Sequence, residues 1–393
     1  IRLNEKGKEG LWAKGISGDY PIILVTINTM KGLENLKRIL NAHEYWSYKG
    51  LTVDLLIMNK DESIYYQPLY DSIREEVYDR RKNVLNRPGG IFILNENTLT
   101  EQEKSLLYSF ANVIIDAEKG IKIKPINYSD IPYKEFIKPK VEYPKKEYEL
   151  ALDYFNGYGG FSQDGSEYII KLSKNTNTPM PWTNVISNKD FGFIITEEGV
   201  GFTWSKNSRE NKLTPWYNDP IVGHQGEIIY LMDEDTGEVF SISPKPIRDE
   251  NDYIITHGQG YTKFYHHSHG IEQNLTVFVP KKDNIKINLI KLKNESDKAR
   301  NLSLYYYARP VLGVSDEETQ NLLETDMVED IFVVKNTANS EFKGSTIFIS
   351  TSENIHSYTG DRIEFLGTIP NYEMPEGIKR TRLSNTLGIG YNP

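Results

Sequence analysis

The chain of 393 residues contains no cysteine. Disulfides, thiolate zinc sites, iron–sulfur ligation and a cysteine nucleophile are therefore excluded. No apolar run approaches the roughly 18–20 residues that a membrane-spanning helix needs. No basic n-region leads into an apolar h-region at the start, so no signal peptide is read there. Positive charge is not in surplus either: 46 Lys and Arg against 55 Asp and Glu leave a net charge of -9. That balance argues against a polyanion as the main partner, because phosphate contacts need excess Lys and Arg. The ends, Ile1 and the run Gly388-Ile389-Gly390-Tyr391-Asn392-Pro393, read as cut points, and the expectation is a piece of a longer polypeptide.

What is present is enough for real cores, with 38% hydrophobic residues and a length that suits about two to three domains. Residues 1–120 read as a small α/β segment. Ile22 to Ile27, Val53 to Met58 and Ile91 to Leu94 are apolar runs of strand length. Between them, Leu33 to Tyr48 carries Leu33, Leu36, Ile39, Leu40 and His43 at helical spacing, and Tyr65 to Arg81 carries Leu69, Ile73 and Val77 on one stripe. Thr100 followed by Glu103 is a capping-box signature, and Leu106, Leu107, Phe110, Val113 and Ile114 read as the helix that follows. Alternating strands and helices predict a parallel sheet with crossover helices. Residues 121–150, with Pro125, Pro132, Pro139 and Pro144 among Lys, Glu and Tyr, read as an extended linker.

Residues 151–393 are read as β. Phe191 to Thr196 and Val200 to Trp204 flank Glu197-Glu198-Gly199. Glu227 to Met232 and Glu238 to Ile242 flank Asp233-Glu234-Asp235-Thr236-Gly237, a hairpin signal. Tyr261 to Tyr265 and Leu275 to Val279 follow. Ile285 to Lys293 and Leu302 to Ala308 flank a polar Asn-Glu-Ser-Asp turn, and Ile331 to Lys335 pairs with Thr346 to Thr351. Short strands at near-regular spacing predict a large antiparallel sandwich. The fold class is therefore α+β: a small α/β segment followed by a large antiparallel β-sandwich.

Three patterns invite chemistry. After the first strand comes Asn28-Thr29-Met30-Lys31-Gly32, which has neither the GxGxxG nor the P-loop glycines that let backbone amides approach a phosphate. Arg87-Pro88-Gly89-Gly90 reads as a turn before a strand. His257, His266, His267 and His269 cluster, and on a strand His267 and His269 would share a face. No nearby carboxylate pair completes a ligand set, so hydrogen-bonded histidines on a sheet face are the reading and no metal is assigned. The densest polar-aromatic stretch holds Trp182, Trp204, Arg209, Asn211, Trp216, Asn218 and Asp219. Rings stack on the C–H face of a pyranose while amide and charged groups take its hydroxyls. Trp and Tyr equally fill sandwich cores and interfaces, so the seven are candidate sugar contacts and no catalytic residue is assigned.

The runs Pro181 to Ile186, Phe191-Gly192-Phe193, Gly201 to Trp204, Ser208 to Trp216, Asn218-Asp219-Pro220, Asp233 to Glu238, Pro246 to Asp249, His257 to Tyr261 and Ser268 to Ile271 together resemble the N-terminal super-sandwich of glycoside hydrolase family 94, the inverting phosphorylases of β-glucosides. Upstream, Leu11 to Ile22, His43-Glu44-Tyr45-Trp46 and Lys49-Gly50-Leu51 look like the segment preceding that sandwich in cyclic β-1,2-glucan synthases; soluble 1,2-β-oligoglucan phosphorylases share related parts. The resemblance implies a parent reaction that phosphorolyses β-1,2-glucosides to α-glucose 1-phosphate, with inorganic phosphate as co-substrate and no metal or organic cofactor. In that family the acid, an Asp, and most phosphate ligands sit on an (α/α)6 barrel that follows the sandwich, so no catalytic role transfers to this chain. The implied partners are β-1,2-glucan or its oligosaccharides, the barrel of the same polypeptide and a second copy in a homodimer. A cytoplasmic location, with the parent tethered to the inner membrane through other domains, accompanies that expectation. The alternative is a stand-alone carbohydrate-binding sandwich, and a third reading is a pure scaffold.

Overall fold

The computed structural model describes residues 4, 6–61, 67–120, 130–136, 141–217, 219, 225–320, 322–336, 339, 341–342, 344–389 and 392–393. The chain divides into two compact units. One is Ile1–Asn127 with Asn321–Glu324 and Lys335–Thr346, and the other is Tyr128–Gln320 with Thr325–Val334 and Ile347–Pro393.

The first unit is built from α1 (Glu9–Trp12), β1 (Ile22–Ile27), α2 (Leu33–Tyr48), β2 (Asp54–Asn59), α3 (Pro68–Arg81), β3 (Ile91–Asn95), α4 (Glu101–Phe110) and β4 (Ala111–Asp116). The four strands form a parallel sheet in the order β3-β2-β1-β4. Side chains alternate across a strand, so a sheet covered on both faces needs apolar residues at every position. Ile23, Val25, Ile27, Leu55 and Ile57 pack one way, against Leu36, Ile39 and Leu40 of α2 and Leu69, Ile73 and Val77 of α3. Ile22, Leu24, Leu56, Met58 and Phe92 pack the other way, against Leu11, Leu106 and Leu107. Thr100 caps α4 through the expected box, accepting from the Glu103 amide while the Glu103 carboxylate accepts from the Thr100 amide.

One expectation fails here. Val113 and Ile114 do not continue α4, because the helix stops at Phe110 and Ala111–Asp116 becomes a fourth strand. The run Val113-Ile114-Ile115 is β-branched and loses χ1 freedom in a helix. Pairing beside β1 satisfies its backbone instead. At the other end of the sheet, Gly89 sits at φ +72 and its amide donates to the Asp54 carboxylate at 2.6 Å, so Arg87 to Gly90 is a turn.

The turn from β1 towards α2 is closed by a carboxylate of the same chain. The amides of Asn28 and Thr29, which end β1 and lead into the helix, both donate to Glu118 Oε1 at 2.8 Å. Glu118 lies just beyond β4, on the neighbouring strand's exit. These two amides, in the turn that precedes α2, are thus satisfied by a carboxylate of the same chain.

The second unit contains β5 (Gly159–Phe161), β6 (Glu167–Leu172), β7 (Thr183–Ser187), β8 (Phe191–Thr196), β9 (Gly201–Ser205), β10 (Glu227–Asp233), β11 (Val239–Ser241), β12 (Tyr253–Gly258), β13 (Tyr261–Ser268), β14 (Ile271–Phe278), β15 (Ile287–Asn294) and β16 (Leu302–Ala308). A six-stranded antiparallel sheet runs β15-β14-β13-β12-β6-β5, and smaller sheets run β7-β8-β9 and β11-β10-β16. Ile170, Leu172, Ile255, Phe264, Leu275 and Val277 of the large sheet share one core with Ile186, Phe193, Ile195, Leu231 and Phe240 of the small ones. The opposite face of β10 (Ile228, Tyr230, Met232) enters a second core with Tyr307, Phe365, Leu366 and Ile378. A further sheet orders Thr346–Ile349, Ile331–Asn336, Leu323–Val328 and Gly388–Ile389.

The strands on either side of the Asn-Glu-Ser-Asp turn do not pair with each other. β15 joins β14, whereas β16 joins β10 in another sheet. Of the proline-rich segment, residues 130–136 and 141–150 carry no helix or strand beyond one bridge, Tyr133 to Arg380; its remaining residues lie outside the described ones. Among the described residues no helix is long and apolar enough to cross a membrane.

Inside the sandwich the head of β10 carries a carboxylate. Glu227 accepts from Thr203 Oγ1 (2.6 Å), Thr214 Oγ1 (3.2 Å), Tyr306 OH (2.8 Å) and Lys286 Nζ (2.9 Å). A cavity of about 40 Å³, room for a water, lies beside them among Ile194, Phe264 and Leu275. Burial alone would push the Glu227 carboxyl up, but the Lys286 ammonium and the hydroxyls of Thr203 and Tyr306 outweigh it and hold it below the usual carboxylate range.

Two outcomes are expected. Glu118→Ala should lower the urea-unfolding free energy by about 1 kcal/mol, because two exposed amides of the turn after β1 lose their acceptor. Glu227→Gln should cost about 3 kcal/mol, because Lys286 keeps a buried charge without its counter-charge. The depressed Glu227 carboxyl contributes stability that is present above its unfolded value of about 4.3 and lost as pH falls through the folded one. Acid titration followed by circular dichroism should therefore show a steeper loss in the wild type than in Glu227→Gln.

Candidate functional site

The polar-aromatic stretch folds around β9. Alternation along that strand sends Thr203 inward to Glu227 and places Phe202 and Trp204 together on the other face. The Phe202 ring tilts at 40° against Trp204 (5.3 Å between centroids) and against Trp216 (5.2 Å), so three rings make one cluster. Trp204 lies over Gly192, where an added Cβ would come within 2.6 Å of the indole.

The returning chain is tied down at each step. Thr203 N donates to Thr214 Oγ1 at 2.9 Å, and Leu213 N to Thr203 O at 2.8 Å. Lys212 bridges to both Trp204 and Gly313. The intervening turn is organised by Asn207, whose side-chain oxygen accepts from the amides of Arg209 and Glu210 at 2.9 Å, the usual Asx device. Beneath Trp216, Tyr217 OH donates to Asp316 Oδ2 at 2.9 Å, and Arg309 reaches both Tyr217 and Asp316. Burial first, and then the Asp316 carboxylate, push the Tyr217 phenol up, so it stays a donor.

The seven sequence candidates fall into separate environments. Trp204 and Trp216 meet through Phe202. Trp182 is elsewhere: it packs edge-on against Tyr158 (6.0 Å) and Tyr168 (5.8 Å) at the margin of the main core. Its amide donates to Glu197 Oε2 at 2.8 Å. Asn211 is buried and braces the turn by donating to Ser205 O at 3.0 Å. Arg209 projects outward, 82% exposed, with Glu210 beside it at 3.5 Å. Asp219 is exposed, and Asn218 lies outside the described residues.

The residues that hold the site were missed: Phe202, Thr203, Thr214, Glu227, Lys286, Arg309 and Asp316. One signal was available. Glu227 is an acid heading the otherwise apolar run Ile228 to Met232, which marks a buried charge in need of a partner.

The histidines scatter. His257 Nε2 donates to Trp182 O (3.2 Å), leaving Nδ1 to accept from Thr262 (3.0 Å), since a carbonyl can only accept. Burial lowers its pKa to about 4, only partly opposed by that carbonyl. His266 is fully buried against Asp249 (2.8 Å) and stacks on Tyr253. His267 faces Glu295 at 3.2 Å. His269 sits past the end of β13 at φ +54 and stacks on Phe240. The expected shared face of His267 and His269 is thus broken by a turn. Among the described residues no three His, Asp or Glu converge as metal ligands.

The arrangement presents a rigid aromatic cluster with an exposed Arg209 nearby, while the buried charges around it are compensated inside the fold. The family model for the glycosyl hydrolase 94 supersandwich domain matches residues 166–393. The chain is 32% identical over 400 residues to the cyclic β-(1,2)-glucan synthase NdvB of Rhizobium meliloti, covering 96% of this chain and 14% of that protein. It is 28% identical over 253 residues to the N,N'-diacetylchitobiose phosphorylase of Vibrio proteolyticus, 60% of this chain and 30% of that one. With the solabiose phosphorylase of Paenibacillus borealis it shares 27% over 247 residues, 59% and 31%. The chain thus spans at most 31% of the length of these three relatives. With over half of its residues matched by that model, the chain belongs to the glycosyl hydrolase 94 supersandwich family.

Proposed function

We propose that this chain is the non-catalytic sandwich portion of a protein that phosphorolyses β-1,2-glucosides, either a phosphorylase or a cyclic β-1,2-glucan synthase. The observation that carries the reading is the extent of likeness. It runs over 96% of the chain for the glucan synthase, through both units, but over only 59–60% for the chitobiose and solabiose phosphorylases. The parent reaction would place one acid on the glycosidic oxygen while phosphate attacks the anomeric carbon from the opposite face, giving α-glucose 1-phosphate. Phosphate is then the co-substrate, with no metal or organic cofactor. Such chemistry needs a carboxyl free to hold a proton and cations free to cradle phosphate. Several of the buried cations here are already engaged, Lys286 with Glu227, Arg300 with Asp233, and Arg309 with Asp316. The sandwich then serves to shape a glucan cleft against a helical barrel of the same polypeptide, and to meet a second copy. A cytoplasmic site of action, with the parent tethered to the inner membrane by other domains, belongs to the same proposal.

The Trp204–Phe202–Trp216 cluster supports a second reading, in which the sandwich binds glucan by itself. Rings of this kind offer stacking area at low entropic cost.

Two measurements decide. Incubated with β-1,2-glucooligosaccharide and phosphate, the chain should release no glucose 1-phosphate; release would overturn the non-catalytic assignment. Calorimetry separates scaffold from binder. Micromolar binding that weakens about tenfold in Trp216→Ala, the loss of one stacking ring, supports the binder. Absence of micromolar heat leaves the cleft-shaping role.

A further inference from the structure

The first unit has a second concave place. A crevice of about 480 Å³ is lined by Thr26, Asn28, Lys60, Glu96, Asp116 and Glu118. That size is in the range of small-molecule sites. Its location follows from topology. All six residues stand at or just past the carboxyl ends of β1 to β4. The order β3-β2-β1-β4 reverses between β1 and β4, and open parallel sheets bind ligands at that switch point. The usual occupant is an anion on the helix-start amides. Here the amides that face the crevice from the turn after β1 are taken, since Asn28 N and Thr29 N donate to Glu118. Three carboxylates against one ammonium also repel a phosphate.

A divalent cation fits no better. Glu118 is committed to the two amides. Asp116 pairs with Lys119 at 2.8 Å and accepts from Glu118 N at 3.0 Å, and Glu96 lies 3.7 Å from Lys60. What remains is a mixed set of hydrogen-bonding groups. One of them points to a ligand independently. Thr26 is the polar residue in the apolar run Ile22 to Ile27, on the face it shares with Leu24. It is 8% exposed and lines the crevice, and its hydroxyl makes no hydrogen bond among the described residues. In the crevice such a hydroxyl is open to water, and a ligand hydroxyl would take that water's place.

We propose that this crevice binds a neutral, hydroxyl-rich ligand, a hexopyranose unit, with Thr26 and Asn28 hydrogen-bonding its hydroxyls and the remaining lone pairs of the charge-paired Asp116 and Glu96 carboxylates accepting from them. The choice of glucose as the hexose rests on the functional reading above; the site itself does not. The test is saturation-transfer NMR on the full chain, with the β-1,2-linked glucose disaccharide at millimolar concentration as probe. Transfer is expected in the wild type, in Trp216→Ala and in Thr26→Ser, which keeps the hydroxyl. It should fall at least fivefold in Thr26→Val and in Asp116→Asn, with thermal melts confirming that each variant is folded. No transfer to the wild type, or equal transfer in Thr26→Val, overturns the proposal. So does perturbation of the crevice by magnesium or inorganic phosphate without any by the sugar. Since glucose 1-phosphate release and Trp216-dependent heat are read on the sandwich, failure of the functional reading and failure of this one are separate results.

Discussion

The second unit depends on one strand being buried on both faces. Ile228, Tyr230 and Met232 of β10 enter one core and Leu231 enters the other. A central strand of that kind cannot end in water, so its two terminal acids are carried inside. Glu227 at the head is neutralised by Lys286, and Asp233 at the tail by Arg300. Removing a charge from water costs several kcal/mol unless a partner and hydrogen bonds replace the solvent. Glu227 gains three hydroxyls besides its cation. Asp233 gains the amides of Asp235 and Thr236 at 2.8 and 3.1 Å. The hairpin after β10 is thereby set by the same carboxylate that ends it.

The aromatic surface hangs from this frame. Thr203 and Thr214 share the Glu227 carboxylate, which pins β9 to the returning loop. Phe202, Trp204 and Trp216 then meet on the opposite side. Arg309 and Asp316 close the arrangement from beyond β16. Rigidity at the rings follows from electrostatics one layer below. A ring held in place loses little entropy when a ligand stacks on it.

Much of the architecture is legible in the residues because it rests on local rules. The stripe Leu36-Ile39-Leu40 reads directly as α2, Thr100 with Glu103 as a helix start, and Asp233 to Gly237 as a hairpin. The failures share a cause as well. Val113 and Ile114 continue a helical spacing, and only a free edge beside β1 makes them a strand. β15 and β16 flank a good turn, yet their partners, β14 and β10, are chosen by two different sheets. The site residues are harder still. Trp182 and Trp204 look alike in sequence, and only packing against Tyr158 and Tyr168, or against Phe202, distinguishes them. Glu227, Lys286 and Tyr306 lie far apart in the chain, and no spacing rule links them.

Glu118 has a consequence for how the first unit is assembled. Parallel α/β units commonly borrow a diffusible phosphate to quiet the start of their first long helix. In the turn between β1 and α2 this chain instead sets a carboxylate from the exit of β4 on the amides of Asn28 and Thr29, tethered at an effective concentration no free carboxylate can match. The exits of β1 and β4 are thereby clasped to each other beside the strand-end cleft.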